Sequence, residues 1–377
     1  MIKFNRPYIT GQEIKYIEDA IKRLELSGDG YYTKACSKFI YNRIGKHNFL
    51  TNSGTDSLEM AAILAEISPG DEVIMPSFTF VSTANAFMLR GAVIKFVDSQ
   101  VNSPNMDENQ IEGLITDKTK AIVVVHYGGI SCDMDKIMDL SNKHNIYIIE
   151  DAAHSIDSFF KNKPLGTIGH FGAFSFHSTK NIISGEGGML VINDEEKINR
   201  AEIIREKGTN RTSFFRGETD KYGWVDIGSS FLPSEITAAF LLAQLESIDI
   251  VQQKRLKIWN EYNHRLQFLL DYGYKLPFIP SYATNNAHLF YLICPTLNER
   301  TGLIDFLLKE GIKAVFHYQS LHNSSFYKKL NKSSSTLSLI NSEKYSDLLL
   351  RLPLFPDLKD DEVKYICDKI TEFINNR

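Results

Sequence analysis

The sequence predicts an α/β protein: a large part built on a mostly parallel sheet, then a smaller α+β part. Three observations predict it. Strand-length apolar runs alternate with helical periodicity up to about residue 195, as in strands joined by crossover helices. One run, residues 120–126 (KAIVVVH), is apolar almost throughout, as a parallel strand covered on both faces requires. After about residue 234 the order changes to a long helical run and then isolated strands and helices. We divide the chain into residues 1–250 and 251–377 on that basis.

Taken in order, Thr10 and Glu13 form a capping-box pattern that opens a helix through about Arg23, with Ile14, Ile17, Ala20 and Ile21 at helical spacing. Ser53-Gly54-Thr55 opens a second helix, with Leu58, Ala61 and Ala62 on its apolar face. Pro69-Gly70-Asp71 turns into the strand EVIMP. SFTF and the helix VSTANAFMLRG follow, and residues 92–97 form another strand. Beyond KAIVVVH come a helix over 133–144, a strand over 146–149 and the motif Glu150-Asp151-Ala152-Ala153-His154. Residues 169–194, GHFGAFSFHSTKNIISGEGGMLVIND, read as two short strands joined by a turn carrying Lys180, and residues 194–206 as a helix. A polar and aromatic loop region, 207–230, is long enough to be functional or disordered, and its aromatics Phe214, Phe215, Tyr222 and Trp224 favour an ordered, binding role. One helical run over about 234–270 enters the second part. There NAHLFYLICP and KAVFHY read as strands, 298–310 and 359–375 as helices, and 331–338 as a Ser-rich surface loop.

Composition excludes several function classes. The 377 residues carry a net charge of −4, with 43% hydrophobic and 23% charged residues, so no basic field invites nucleic acid. The first residues lack the apolar core of a secretory signal, and no apolar window approaches the length of a membrane span. Cys36, Cys132, Cys294 and Cys367 lie far apart without metal-ligand spacing. These features lead us to expect a cytoplasmic protein with no metal, no membrane and no nucleic-acid partner.

The candidate chemistry lies at strand ends. A lysine in a glycine-bordered turn on a rigid edge can form a Schiff base with a carbonyl cofactor. Asp151, directly after an apolar strand, can keep a pyridine nitrogen protonated through its charge. His154 can donate to a ring oxygen. Ser53-Gly54-Thr55 offers backbone N–H groups, hydroxyls and a helix dipole to a phosphate. Ordinary structural roles remain open for each residue taken singly.

In this order these motifs resemble the DegT/DnrJ/EryC1/StrS family of sugar aminotransferases, and the resemblance runs from FNRPYITGQE to RLPLFPDL. It implies a fold-type I enzyme dependent on pyridoxal 5'-phosphate, with Lys180 as the Schiff-base lysine and Asp151 at the pyridinium nitrogen. His154 would contact the ring hydroxyl, Phe80 would stack on the ring, and Gly54, Thr55 and Ser175 would bind the phosphate. It also implies a homodimer with active sites at the interface, where Ser230 stands in place of the asparagine common in the family. Within the family, PGDEVIMPSFTFVSTANAF, REKGTN, DIGSS, AVFHY and RLPLF resemble members that transfer the amino group of L-glutamate to C4 of dTDP-4-keto-6-deoxyglucose, giving the 4-amino-4,6-dideoxygalactose product. Amination at C3, a gluco epimer at C4 and a non-catalytic regulator are the alternatives. Lysine at position 180 argues against the dehydratases of this fold, which carry histidine there. Candidates for the sugar nucleotide are Lys207, Arg211, Arg216, Lys221 and Tyr222 in the loop, and His317, Tyr318 and His322 in FHYQSLH.

Overall fold

The structure, a computed structural model, describes residues 1–330 and 337–376; most of the expected Ser-rich loop at 331–338 lies outside them. In chain order the strands are β1 (His47–Thr51), β2 (Glu72–Pro76), β3 (Val93–Val97), β4 (Thr119–Val125), β5 (Tyr147–Asp151), the short pair β6 (Phe159–Phe160) and β7 (Lys163–Pro164), β8 (Phe171–Ser175), β9 (Gly188–Ile192), β10 (Phe290–Ile293), β11 (Val315–Phe316) and β12 (Leu349–Leu352). Seven of them form one sheet in the order β1-β9-β8-β5-β4-β2-β3. The pairs from β8 to β3 are all parallel, whereas β9 is antiparallel to both β8 and β1. The carboxyl ends of six strands therefore meet the start of β9 along one edge, where ligands of such sheets bind.

The sequence explains the burial. Every residue of β2 and β9 is buried, as is the KAIVVVH run from Ala121 onward. The helix Gly54–Leu64 begins at Ser53, whose Oγ accepts the Asp56 N–H at 3.0 Å, and packs Leu58, Ala61 and Leu64 into the core with Val73, Val123 and Leu190. Two glycines let its first turn press against the sheet. A Cβ on Gly54 would lie 2.8 Å from Ser175 Cβ, and one on Gly188 would lie 2.2 Å from the Ser53 carbonyl oxygen.

The second sheet is antiparallel, ordered β10-β12-β11, and packs against the helices Leu297–Lys309 and Asp360–Asn375 through Leu303, Leu307, Ile366 and Ile370. The expected single helix over 234–270 is two, Glu235–Glu246 and Ile248–Arg265, broken at Ser247. The second of these bridges the two cores: Ile248 and Val251 pack with the large sheet, and Ile258, Trp259 and Tyr262 with the small one. The N-terminus crosses to the small unit, where Ile2 bridges Ile312 and the Leu354 N–H donates to the Phe4 carbonyl.

Three local expectations change. Glu13 is the first residue of its helix, Glu13–Arg23, so its carboxylate accepts the Thr10 and Gly11 N–H groups from outside the first turn. On that helix Ala20 is buried, but Ile14 and Ile21 face outward. KAVFHY yields only Val315–Phe316 as strand, because the chain then turns His317 and Tyr318 toward a cavity. No helix among the described residues is long and apolar enough to cross a membrane.

Replacing Gly188 with alanine should force Ser53 away from β9. Such overpacking costs about 1–3 kcal/mol, which a urea titration of the purified variant would measure; unchanged stability would refute this packing argument.

Candidate active site

One cavity of about 1380 Å³ opens at the carboxyl edge of the large sheet. The end of β1 brings Ser53, Gly54 and Thr55; the end of β2 brings Thr79, Phe80, Ser82 and Thr83. The end of β5 brings Asp151 and His154, and the end of β8 brings Ser175 and the Lys180 turn. The small unit and the N-terminus close the other side with Phe4, Asn5, His317, Tyr318 and Arg351.

Asp151 is buried, and burial raises the pKa of its carboxyl while two hydrogen bonds oppose the rise. Thr83 Oγ1 donates to Oδ2 at 2.7 Å and the Ala153 N–H to Oδ1 at 3.2 Å. Because the carboxylate accepts, the Thr79 hydroxyl, 2.8 Å from Thr83 Oγ1, donates onward to Thr83. Among the described residues no cationic side chain pairs with Asp151 at ion-pair distance. Burial brings Lys180 down to about 8; the charge of Asp151 opposes that shift and the charge of Arg351 adds to it. His154 accepts the Gly128 N–H at Nδ1, 3.2 Å away, so its proton sits on Nε2, 3.3 Å from Tyr318 Oη. Burial and the nearby cations hold its pKa well below the usual histidine value, and the ring is neutral.

The start of helix Gly54–Leu64 leaves the Gly54 and Thr55 N–H groups without helical partners. The Thr55 hydroxyl meets Ser82 Oγ at 2.8 Å, and Ser175 adjoins Gly54. Phe80 lines the cavity and is 55% exposed. Ser230 lies outside this cavity on an exposed segment, where its carbonyl accepts from Asn52 Nδ2 at 2.9 Å.

The sugar-nucleotide candidates divide. His317 and Tyr318 line the cavity; Lys207, Arg211, Arg216, Lys221 and Tyr222 do not. Arg216 is spent on Glu202 and Glu218, and His322 is held between Ser77 and Glu343. The loop carries one short helix, Arg211–Phe215, and its aromatics Phe215, Tyr222 and Trp224 face outward. Sequence reasoning missed Thr83, whose signal was a second threonine four residues after Thr79 at a helix start. It also missed Arg351, a lone cation in the run LLLRLPLF of β12. Arg351 donates from Nη2 to the Phe316 carbonyl at 3.0 Å and lies over the Phe4 ring, while its Nε has no acceptor among the described residues.

These groups fit pyridoxal phosphate: a buried carboxylate without a cation for a protonated ring nitrogen, a helix start with free N–H groups for a dianion, and an amine of lowered pKa for the aldehyde. Fold and site together define a pyridoxal-phosphate-dependent sugar aminotransferase of fold type I. The chain belongs to the DegT/DnrJ/EryC1/StrS aminotransferase family, whose pattern it matches over residues 7–371. It is 31% identical to the GDP-perosamine synthase of Escherichia coli O157:H7, over 99% of this chain and 98% of that protein. With the UDP-4-amino-4-deoxy-L-arabinose–oxoglutarate aminotransferase of Shewanella sediminis it shares 32% identity over 99% and 98% of the two chains. A putative sugar aminotransferase of Streptococcus pneumoniae, solved in its PMP form, superposes with a TM-score of 0.91 at 27% identity and full coverage of both chains.

The sign of the coupling between Asp151 and Lys180 is testable. A negative Asp151 favours the protonated lysine, so Asp151→Asn should move the Lys180 pKa below about 8. The pH dependence of amine labelling at Lys180 in cofactor-free protein would read this; an upward or absent shift would refute the coupling.

Proposed function

We propose that the protein transfers the amino group of L-glutamate to C4 of dTDP-4-keto-6-deoxyglucose, releasing 2-oxoglutarate and dTDP-4-amino-4,6-dideoxygalactose. The observation that carries the catalytic part is the placement of Lys180, an amine brought to about 8 by burial, in one cavity with the buried carboxylate of Asp151. When bound, pyridoxal phosphate supplies an aldehyde for the incoming amine and a ring that takes up the electron pair released at the neighbouring carbon. Lys180 Nζ takes the proton from Cα of glutamate in the first half-reaction and delivers a proton to C4 of the sugar in the second. With a pKa near the working pH the amine serves as base and then as acid, a role worth about 10²–10⁴-fold in rate.

Asp151 holds the ring-nitrogen proton, and Thr79 and Thr83 orient its carboxylate. His154 would donate from Nε2 to the ring oxygen, Phe80 would stack on the ring, and Gly54, Thr55 and Ser175 would hold the phosphate. In this reading a second copy of the chain covers the exposed apolar residues Ile14, Leu24 and Trp224 and brings Ser230 to the phosphate of its partner. Arg351, a cation of the cavity lining, binds the diphosphate of the sugar nucleotide.

The choice of dTDP and of C4 rests on the motif resemblance. The relatives named above carry GDP and UDP sugars in their own names, so the base varies within the family. We place the reaction in the cytoplasm and its product in a lipopolysaccharide or another surface glycan.

The deciding experiment incubates the enzyme with glutamate and dTDP-4-keto-6-deoxyglucose and solves the product by NMR. An axial C4 amine supports the proposal, an equatorial one indicates the gluco epimer, and turnover only with a 3-keto sugar moves the chemistry to C3. Lys180→Ala should abolish 2-oxoglutarate release, and a fully active variant would overturn the lysine's role. Arg351→Gln should raise the KM for the sugar nucleotide about tenfold or more, the value of one charged hydrogen bond, with the KM for glutamate little changed; the opposite pattern would assign Arg351 to the amino donor.

A further inference from the structure

Directly after Lys180 the chain buries Asn181, and its side chain is fully engaged. Nδ2 donates to the Asn286 carbonyl and to Gln252 Oε1, each at 2.9 Å. A backbone carbonyl can only accept, so this contact fixes the amide orientation and turns Oδ1 toward His288 Nδ1, 2.9 Å away. The proton of His288 therefore sits on Nδ1. Its ring stacks on that of His154 at 4.1 Å and 26°. His154 carries its proton on the opposite nitrogen, Nε2, because Nδ1 accepts from Gly128.

The segment before His288 is held just as closely. Asn286 donates to the His154 and Ile156 carbonyls at 2.7 and 2.8 Å, and its Oδ1 accepts the His288 N–H at 3.0 Å. Ala287 adopts a left-handed φ of 51°, a conformation unfavourable for a residue with a Cβ. Arg255 holds it there: the guanidinium, 2% exposed, donates to the Ala287 carbonyl at 3.0 Å and to the His288 carbonyl at 2.6 Å. Burial alone brings this arginine down to about 9. Arg255 and Gln252 stand one turn apart on helix Ile248–Arg265, so the helix that joins the two cores grips the segment from one face. The ionisable groups that bear on His288 are His154, Lys180, Arg255 and His317; with burial as the larger cause they keep its pKa well below the usual value.

We infer that Asn181, His288 and Arg255 are positioning residues for the transamination, fixing the main chain at Lys180 through hydrogen bonds of set tautomer and the orientation of the His154 ring through its stack on His288. The inference rests on the catalytic reading above, since it acts through Lys180 and His154. The two stacked histidines are neutral and carry their protons on opposite nitrogens.

The test begins with full-length protein labelled with ¹⁵N-histidine, measured near neutral pH with and without pyridoxal phosphate. Long-range ¹H–¹⁵N correlations should show His288 protonated at Nδ1 and His154 at Nε2. The reverse tautomer at either ring, or a charged His288, overturns the inference whether or not the enzyme turns over. Two variants then separate positioning from filling. His288→Phe keeps an aromatic ring against His154 but loses the donor to Asn181, and should lower kcat about tenfold or more with both KM values little changed. His288→Asn restores a donor near the Nδ1 position and should recover most of that loss. A residue that only fills space predicts the reverse order, with phenylalanine the milder change, and that order would overturn the proposal. Failure of the catalytic reading would appear separately, as wild-type protein without turnover.

Discussion

Two neighbouring carboxylates at the end of β5 set the geometry on which the site depends. Side chains alternate along a strand, so Glu150 and Asp151 point to opposite faces of the sheet. Glu150 is fully buried and accepts four hydrogen bonds: the Gly166, Ile168 and Gly169 N–H groups at 2.7 Å each, and His126 Nε2 at 3.0 Å. Hydrogen bonds to a charged group are worth about 1.5–3 kcal/mol each, so this satisfied carboxylate locks the strand end. Three of its donors belong to the segment that leads into β8. The same group thus fixes where Asp151 leaves β5 and where β8, which ends at Ser175 and leads to Lys180, begins.

The reversal of β9 then keeps the lysine at the site. Had the chain left β8 for another parallel strand, a crossover helix would have carried it to the opposite edge. Because β9 is antiparallel, residues 176–187 must turn over the carboxyl edge itself, with Lys180 in their middle. The turn closes by backbone contacts, Phe176 N–H to the Gly187 carbonyl at 2.8 Å and Ser178 N–H to the Gly185 carbonyl at 2.9 Å. Gly188 next to Ser53 binds that turn to the helix start. A rigid lysine and a helix N-terminus are therefore products of one packing event.

Much of this was legible in the sequence because the relevant signals are local. The KAIVVVH run, the Ser53-Gly54-Thr55 cap and the glycines around Lys180 each report a physical constraint on their own neighbourhood. The break at Ser247 was not legible, since apolar residues continue across it and only tertiary packing separates the two helices. Arg351 and Thr83 were missed for a related reason: each matters through a partner far away in sequence, Phe316 and Asp151 respectively. The long loop sends signals of another kind. Its length and aromatics suggest ligand contact, and in the single chain Arg216 pairs with Glu202 and Glu218 while Phe215, Tyr222 and Trp224 face outward.

The electrostatics of the cavity follow from the same burial. The cavity lining carries the cations Lys3, Lys180, Arg255, Lys313 and Arg351 against the carboxylates Asp151 and Glu186, so the cavity is biased toward anions. Of the histidines that border it, burial together with nearby cations holds three, His154, His288 and His317, well below their usual pKa. Neutral rings can be ordered by hydrogen bonds into one tautomer each, whereas charged rings would present donors on both nitrogens and lose direction. Added positive charge would also press the Lys180 pKa further from its value of about 8. Desolvation of the histidines thus serves two ends, directional hydrogen bonding and an amine whose pKa stays near the range where it can both take and return a proton.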